Sequence, residues 1–426
     1  MPFTTSEHRL SPSALSATAQ APRSAYVHIP FCRRRCFYCD FPISVIGQRR
    51  RGETSGTIAQ YVDGLVQEIR ATPRLNAAPL QTVFFGGGTP SLLSTDQLAQ
   101  ILQALDNRFG IAAPAEISME MDPGTFDLSH IQGYRRLGVS RVSLGVQAFQ
   151  DELLAACGRF HRTADVYQAV ELLEQASVPS VSLDLISGLP HQSWADWVDS
   201  LERAIALSPQ HLSVYDLTIE PQTPFGRSLQ PGARPLPTEA ATVAMYRQAQ
   251  RQLTAAGYNH YEISNYAQPG HRCQHNLTYW HNQPFYGFGM GAASYTQHQR
   301  LSRPRTLRLY REWVAAYVAG GGILDCPPTP PWEQVLDGLM VGLRLAEGMG
   351  LRSVAAVYGW AGLELLQDCL RPYIEKGWLV LDNAGQNAGE LIPSTRLRLT
   401  DPEGFLMSNQ VIADMFNALT PVAPTV

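Results

Sequence analysis

Three cysteines stand close together near the start of this 426-residue chain: Cys32, Cys36 and Cys39, in the run His28-Ile-Pro-Phe-Cys-Arg-Arg-Arg-Cys-Phe-Tyr-Cys-Asp-Phe41. Three thiolates on one short loop can hold three irons of a [4Fe–4S] cluster. A cluster with a purely structural or electron-transfer role normally takes four cysteines. Three leave one iron open, and an open iron binds a small molecule. Zinc is the competing chemistry. It takes four tetrahedral ligands, and His28 or Asp40 would complete the set. Zinc loops, however, usually pair two ligands with two from a distant segment. Cys157, Cys273, Cys326 and Cys369 are far apart in the sequence, so the spacing favours the cluster.

The elements that must position such a loop are legible over the first 220 residues as repeated strand–helix units. Apolar strands are predicted at Ala25–Ile29, Thr82–Phe85, Ile117–Met121, Arg141–Gly145, Ser180–Ile186 and His211–Leu217. Helical patterns at Ile58–Arg70, Thr95–Phe109, Leu128–Leu137, Thr163–Gln175 and Trp194–Leu207 lie between them. This alternation predicts a parallel sheet with crossover helices, and six units make a partial (β/α)6 barrel of TIM-like form. Chemistry in such barrels sits at the C-terminal ends of the strands. The cysteine loop, Gly86-Gly-Gly-Thr-Pro90, Glu120 to Asp122, Gln147, Asp184 and Tyr215-Asp216 all fall at or near predicted strand ends. One such residue is most simply a turn or cap; six strand ends in succession point to a site.

Two Pro-rich stretches follow. Glu220–Pro237 reads as a loop or crossing segment, and Cys326-Pro-Pro-Thr-Pro-Pro331 as an interdomain linker. The expected organisation is a disordered tail over 1–23, the barrel over 24–240 and an extension over 241–325. A linker over 326–332 then leads to an α+β, winged-helix-like domain over 333–426. The net charge of -4 argues against a nucleic-acid surface. No apolar run reaches the roughly 18–20 residues of a membrane span. The N-terminal tail lacks the apolar core of a secretory signal. Seven cysteines without the dense pairing of a disulfide scaffold suit a reducing cytoplasm.

Taken together and in order, several motifs resemble the radical S-adenosylmethionine (SAM) family, in its coproporphyrinogen-oxidase-like HemN/HemW branch. They are Tyr26-Val-His28-Ile-Pro-Phe-Cys32 with the C-x3-C-x2-C loop, Gly87-Gly-Thr-Pro90, Ser118-Met-Glu120-Met-Asp122-Pro, Gly145-Val-Gln147-Ala-Phe, Gly158-Arg159 and Asp184-Leu-Ile-Ser-Gly-Leu-Pro190. The likeness covers about residues 24–420. It implies a [4Fe–4S] cluster on Cys32, Cys36 and Cys39, with the amino and carboxylate groups of SAM on the open iron. It implies a SAM site lined by Tyr26, Tyr38, Gly87, Gly88, Thr89, Glu120, Gln147, Arg159 and Asp184. Carboxylates such as Glu120 and Asp184 accept from an amine or from ribose hydroxyls, and Arg159 can pair with a carboxylate.

Within that branch the chain is similar to the haem-chaperone group. Oxygen-independent coproporphyrinogen III dehydrogenases, which make protoporphyrinogen IX by 5′-deoxyadenosyl radical chemistry, carry a further cysteine two residues after the third ligand; here it is Phe41. They also carry a longer N-terminal segment, where only about 25 residues precede the first strand here. His275-Asn276-Leu-Thr-Tyr279-Trp280 matches the His-Asn-x-x-Tyr-Trp motif of the haem chaperones. The resemblance implies haem binding through His275, Asn276, Tyr279 and Trp280, and delivery to haem-requiring respiratory proteins. A histidine can ligate haem iron and aromatics can wall a porphyrin, with Cys273 and His271 as rival ligands. Without the resemblance, the same residues read as a satisfied histidine and two core aromatics. Arg33–Arg35 and Arg49–Arg51 form a basic patch. It is either a solvated loop or a docking surface for an acidic reductant such as a flavodoxin or ferredoxin.

Overall fold

The structure, a computed structural model, describes residues 21–47, 51–323, 326–382 and 391–420. Most of the expected tail, together with Arg49 and Arg50, lies outside the described residues. Among those described, contacts divide the chain into two compact units: 21–279 with 283–327, and 280–282 with 328–420.

Six parallel strands form the centre of the first unit. They are β1 (Ser24–Ile29), β2 (Leu80–Gly87), β3 (Ile111–Met121), β4 (Arg141–Gln147), β5 (Ser180–Ser187) and β6 (His211–Asp216), paired in sequence order. The register runs Ser24 to Thr82, Thr82 to Glu116, Ser118 to Arg141, Arg141 to Ser180 and Ser182 to His211. The strand starts therefore gather at one end of the barrel and the strand ends at the other. The crossover helices begin on strong N-cap signals. Ser94 and Ser193 each close a capping box, with Gln97 and Asp196 respectively. Ile58, Leu65 and Ile69 on the first helix, and Leu98, Ile101 and Leu105 on the second, are fully buried with Val83 and Phe85 of β2 in one core. Each such side chain stabilises the fold by about 1.5–3 kcal/mol.

The 241–325 region extends this sheet on both sides, which its sequence does not announce. β7 (Asn259–Glu262) and β8 (Asn265–Ala267) lie antiparallel beyond β6, and β9 (Tyr286–Phe288) runs parallel to β1. The nine-stranded sheet thus ends on β9 and β7, a partial barrel. Glu220–Pro237 is also more than a loop. It contains the short helix Pro224–Ser228, whose Phe225 is buried 6.1 Å, ring to ring, from Phe37 of the cysteine loop.

The second unit has helices Pro331–Gly342, Arg352–Glu375 and Ser408–Leu419. The middle one breaks at Gly359, where φ is +65°. A three-stranded antiparallel sheet has Arg396–Leu399 between Met349–Gly350 and Leu379–Asp382. Among the described residues no helix is long and apolar enough to cross a membrane.

Candidate functional site

The cysteine loop leaves the end of β1 and is fixed from behind. The two-residue strands Phe31–Cys32 and Ser44–Val45 pair in parallel across its base. Arg35 donates to the carbonyls of Cys39, Phe41 and Ile43 at 3.1–3.5 Å. His28 donates from Nε2 to the Pro42 carbonyl at 3.0 Å, so its Nδ1 accepts from the Tyr26 hydroxyl, also at 3.0 Å. Burial lowers the His28 pKa to about 4, so the ring is neutral. With both nitrogens used, His28 holds the loop rather than ligating a metal, which removes one fourth ligand for zinc.

The glycine run presses on this assembly. A Cβ on Gly87, where φ is +107°, would stand 2.2 Å from the His28 ring, and one on Gly88 would stand 2.8 Å from the Ile29 and Phe31 carbonyls. Side chains are therefore excluded here by close packing. Thr89 is buried and donates to Asp122 at 3.1 Å, with Cys32 Sγ 3.7 Å away. It supports the loop from below.

Cys32, Cys36 and Cys39 line a cavity of about 520 Å³ together with Tyr38, Gly87, Gly88, Glu120, Gln147, Arg159 and Asp184. That volume is within the range of small-molecule and cofactor sites, and SAM fits it. The three thiols share this wall, although among the described residues no set of His, Cys, Asp or Glu is gathered for a single metal ion. Burial raises the Cys32 thiol well up and Cys39 to about 11, so iron binding must displace their protons. Gln147 reaches the cavity from a bulge in β4, with a positive φ of 69° that is uncommon outside glycine. Both terminal nitrogens of Arg159 are engaged in this conformation, while its buried Nε has no partner. It pairs with Asp122, donates to the Gly145 carbonyl at 2.7 Å and lies 3.5 Å from Cys36 Sγ. Glu120 accepts from the Gly87 N–H at 2.8 Å; its pKa rises to about 7, first through burial and then through Asp184 and Asp122. Asp184 accepts from Ser143 at 2.9 Å and Ser182 at 3.3 Å, and burial raises its pKa too.

The His-Asn-x-x-Tyr-Trp motif is at the other end of the barrel. Residues 271–279 close it at the strand starts. Gln274 and His275 donate their N–H groups to Glu116 at 3.0 Å, Thr278 bonds Ser24 at 2.9 Å, and Arg141 donates to the His271 carbonyl at 2.9 Å. His275 is fully buried, with Nδ1 2.7 Å from Thr82 Oγ1 and Nε2 2.8 Å from the Tyr279 hydroxyl. Burial lowers its pKa to about 3. Both ring nitrogens are engaged, so neither is free for iron in this conformation. Cys273 is buried as well, and its pKa is raised to about 12.

Above this floor is an inner chamber of about 180 Å³, whose lining includes Tyr26, Arg141, His211, Asn276 and Tyr279. Glu120, Ser143, Asp184 and Tyr215 line both it and the outer cavity. Tyr26 therefore belongs to the chamber, while Trp280 falls in the second compact unit. Four residues of the chamber lining were not singled out from sequence: Arg141, Ser143, His211 and Ser213. Their signal is polar alternation inside apolar strands: Ser118-Glu120-Asp122, Arg141-Ser143-Gly145-Gln147 and His211-Ser213-Tyr215. A period of two places each set on one face of its strand, here the barrel interior.

A three-cysteine loop over a glycine-packed strand end, at the C-terminal mouth of a partial barrel, defines a radical SAM protein. Residues 26–204 match the family model described as Radical SAM superfamily. The chain is 46% identical to the heme chaperone HemW of Synechocystis sp., over 95% of this chain and 98% of that one. It is 41% identical to the heme chaperone HemW of Escherichia coli, over 83% and 90%. The solved coproporphyrinogen III oxidase HemN of Escherichia coli shares the fold, with a TM-score of 0.77, 22% identity and coverage of 95% and 92%. The chain belongs to the HemW family.

Proposed function

We propose that this protein is a cytoplasmic haem chaperone that binds haem and delivers it to haem-requiring respiratory proteins. The observation that carries the reading is the relationship to heme chaperone HemW over nearly the whole chain, with the motif residues of both barrel ends present. Cys32, Cys36 and Cys39 would hold the cluster, which with bound SAM would supply one-electron chemistry. The chain's own residues then have defined tasks. Arg35 and His28 hold the loop, Glu120 accepts from the SAM amine, and Asp184 accepts from ribose hydroxyls. Arg159 exchanges Asp122 for the SAM carboxylate. At the floor, Asn276 and Tyr279 meet the haem, and His275 orients Tyr279. An acidic flavodoxin or ferredoxin docks on the face of the loop that presents Arg34.

The competing reading is coproporphyrinogen III dehydrogenation. Phe41, 56% exposed, stands where those enzymes carry a cysteine, and this weighs against it. The test uses anaerobically reconstituted protein with SAM and a reductant, given either haem or coproporphyrinogen III. Stoichiometric haem on the protein without protoporphyrinogen is expected. Protoporphyrinogen formed over many turnovers would overturn the chaperone reading.

A further inference from the structure

We propose that the inner chamber is a carboxylate site, with Arg141 as its cation and a haem propionate as its occupant. The inference rests on the haem reading above and names a subsite for it.

Arg141 begins β4 and is 4% exposed. Its Nη1 donates to Ser180 Oγ at 3.0 Å and to the His271 carbonyl at 2.9 Å, both neutral acceptors. Among the described residues no carboxylate stands within ion-pair distance of it. The chamber's own carboxyls are committed elsewhere, Glu120 to the Gly87 N–H and Asp184 to serine hydroxyls. Asp184 feels the Arg141 charge but makes no ion pair with it, and a buried guanidinium without a direct anionic partner is costly. This one lines a cavity, so such a partner has a place to come from.

A carboxylate suits that place. It takes parallel bonds from a guanidinium fork, and Asn276 and Tyr279 line the same space. At about 180 Å³ the chamber is below the size of ordinary cofactor pockets, so it receives an arm of a ligand rather than a ring system. The outer cavity, of about 520 Å³, adjoins it, with Glu120, Ser143, Asp184 and Tyr215 lining both. Haem entering edge-on from the cluster side would take the outer cavity in place of SAM and extend one propionate to Arg141. The motif at the floor then meets haem through Asn276 and Tyr279, while His275 keeps both of its hydrogen bonds.

The experiment titrates the full-length protein and its Arg141→Gln variant with haem and with haem dimethyl ester, followed by Soret absorbance. For the natural protein the ester should bind about tenfold to a hundredfold more weakly than the acid, the worth of a hydrogen bond to a charged group. In Arg141→Gln the acid should fall to the level of the ester. In Arg141→Lys, which keeps a cation, part of the discrimination should return. Equal binding of acid and ester by the natural protein would overturn the carboxylate site, with no appeal to a variant's folding. Full discrimination by Arg141→Gln would remove Arg141 as the cation. Failure to bind either compound would sink the haem reading itself, a different result from equal binding.

Discussion

His275 and Tyr279 are joined across one turn of the helix Gln274–Trp280, with ring planes at 90° and the phenol oxygen 2.8 Å from Nε2. With Thr82 on the other nitrogen, the imidazole is a buried strut between the start of β2 and the chamber floor. Replacing it by alanine leaves two buried hydroxyls without their partner and opens a cavity. Each orphaned group costs about 1–3 kcal/mol, so His275→Ala should lower the thermal midpoint markedly. Haem affinity should fall as Tyr279 loses its orientation, while the band positions of the bound haem stay where they are. A changed axial-ligand spectrum would mean that His275 leaves its burial to reach the iron.

The two ends of the barrel make separable predictions. Cys32, Cys36 and Cys39 open on the outer cavity, whereas residues 271–279 are fastened to the strand starts. Replacing the three cysteines together by serine should abolish the visible chromophore of the reconstituted cluster. Haem titration of that variant should still saturate at the stoichiometry of the natural protein. Loss of both would show that the cluster end is needed to keep the floor in place.

Much of this arrangement is legible in the chain, for physical reasons. The helix-facing residues of these parallel strands are apolar, so β1 to β6 stand out, and their ends locate Cys32, Gly87, Glu120, Gln147 and Asp184. β8 and β9 are three residues each, too short for any period to appear. The floor is hidden for another reason. Glu116 and His275 lie 159 positions apart, and no local pattern announces that a carboxylate at one strand start caps a helix from the far side of the sequence. Arg159 shows the same limit: sequence supplies its charge but not Asp122 as its partner in this conformation.

The basic patch gives a sharper expectation now that its members have partners. Arg33 donates to the Gly124 carbonyl, Arg35 to loop carbonyls, and Arg51 to Thr125 while pairing with Asp127 at 3.7 Å. Arg34 is exposed and rests over the Phe37 ring at 5.5 Å. If an acidic reductant docks here, cluster reduction measured by stopped-flow absorbance should slow as ionic strength rises, because the Debye length falls from about 10 Å at 0.1 M salt. Arg34→Glu should slow it further at low salt. A rate indifferent to both changes would place the reductant elsewhere.

Glu120 should make the empty protein and its complex with SAM respond to pH in opposite senses. Its folded pKa of about 7 exceeds the ordinary value of 4.5. The unfolded chain therefore releases this proton first. The stability that Glu120 contributes is fully present below about 4.5 and is lost as pH rises through about 7. The groups facing it are Asp122 and Asp184, which disfavour its charge, and the Gly87 N–H, which favours it. Tyr26, Tyr215 and Tyr279 add neutral hydroxyls around it. Binding of SAM reverses the balance, because an amine donor prefers the ionised carboxylate. Affinity for SAM should then rise by up to about tenfold per pH unit below 7 and level off above it. Glu120→Gln should flatten both profiles, so the pair of titrations, thermal midpoint without SAM and dissociation constant with it, isolates this one carboxyl. A variant that keeps the natural protein's slope in either titration would assign that pH dependence to another group.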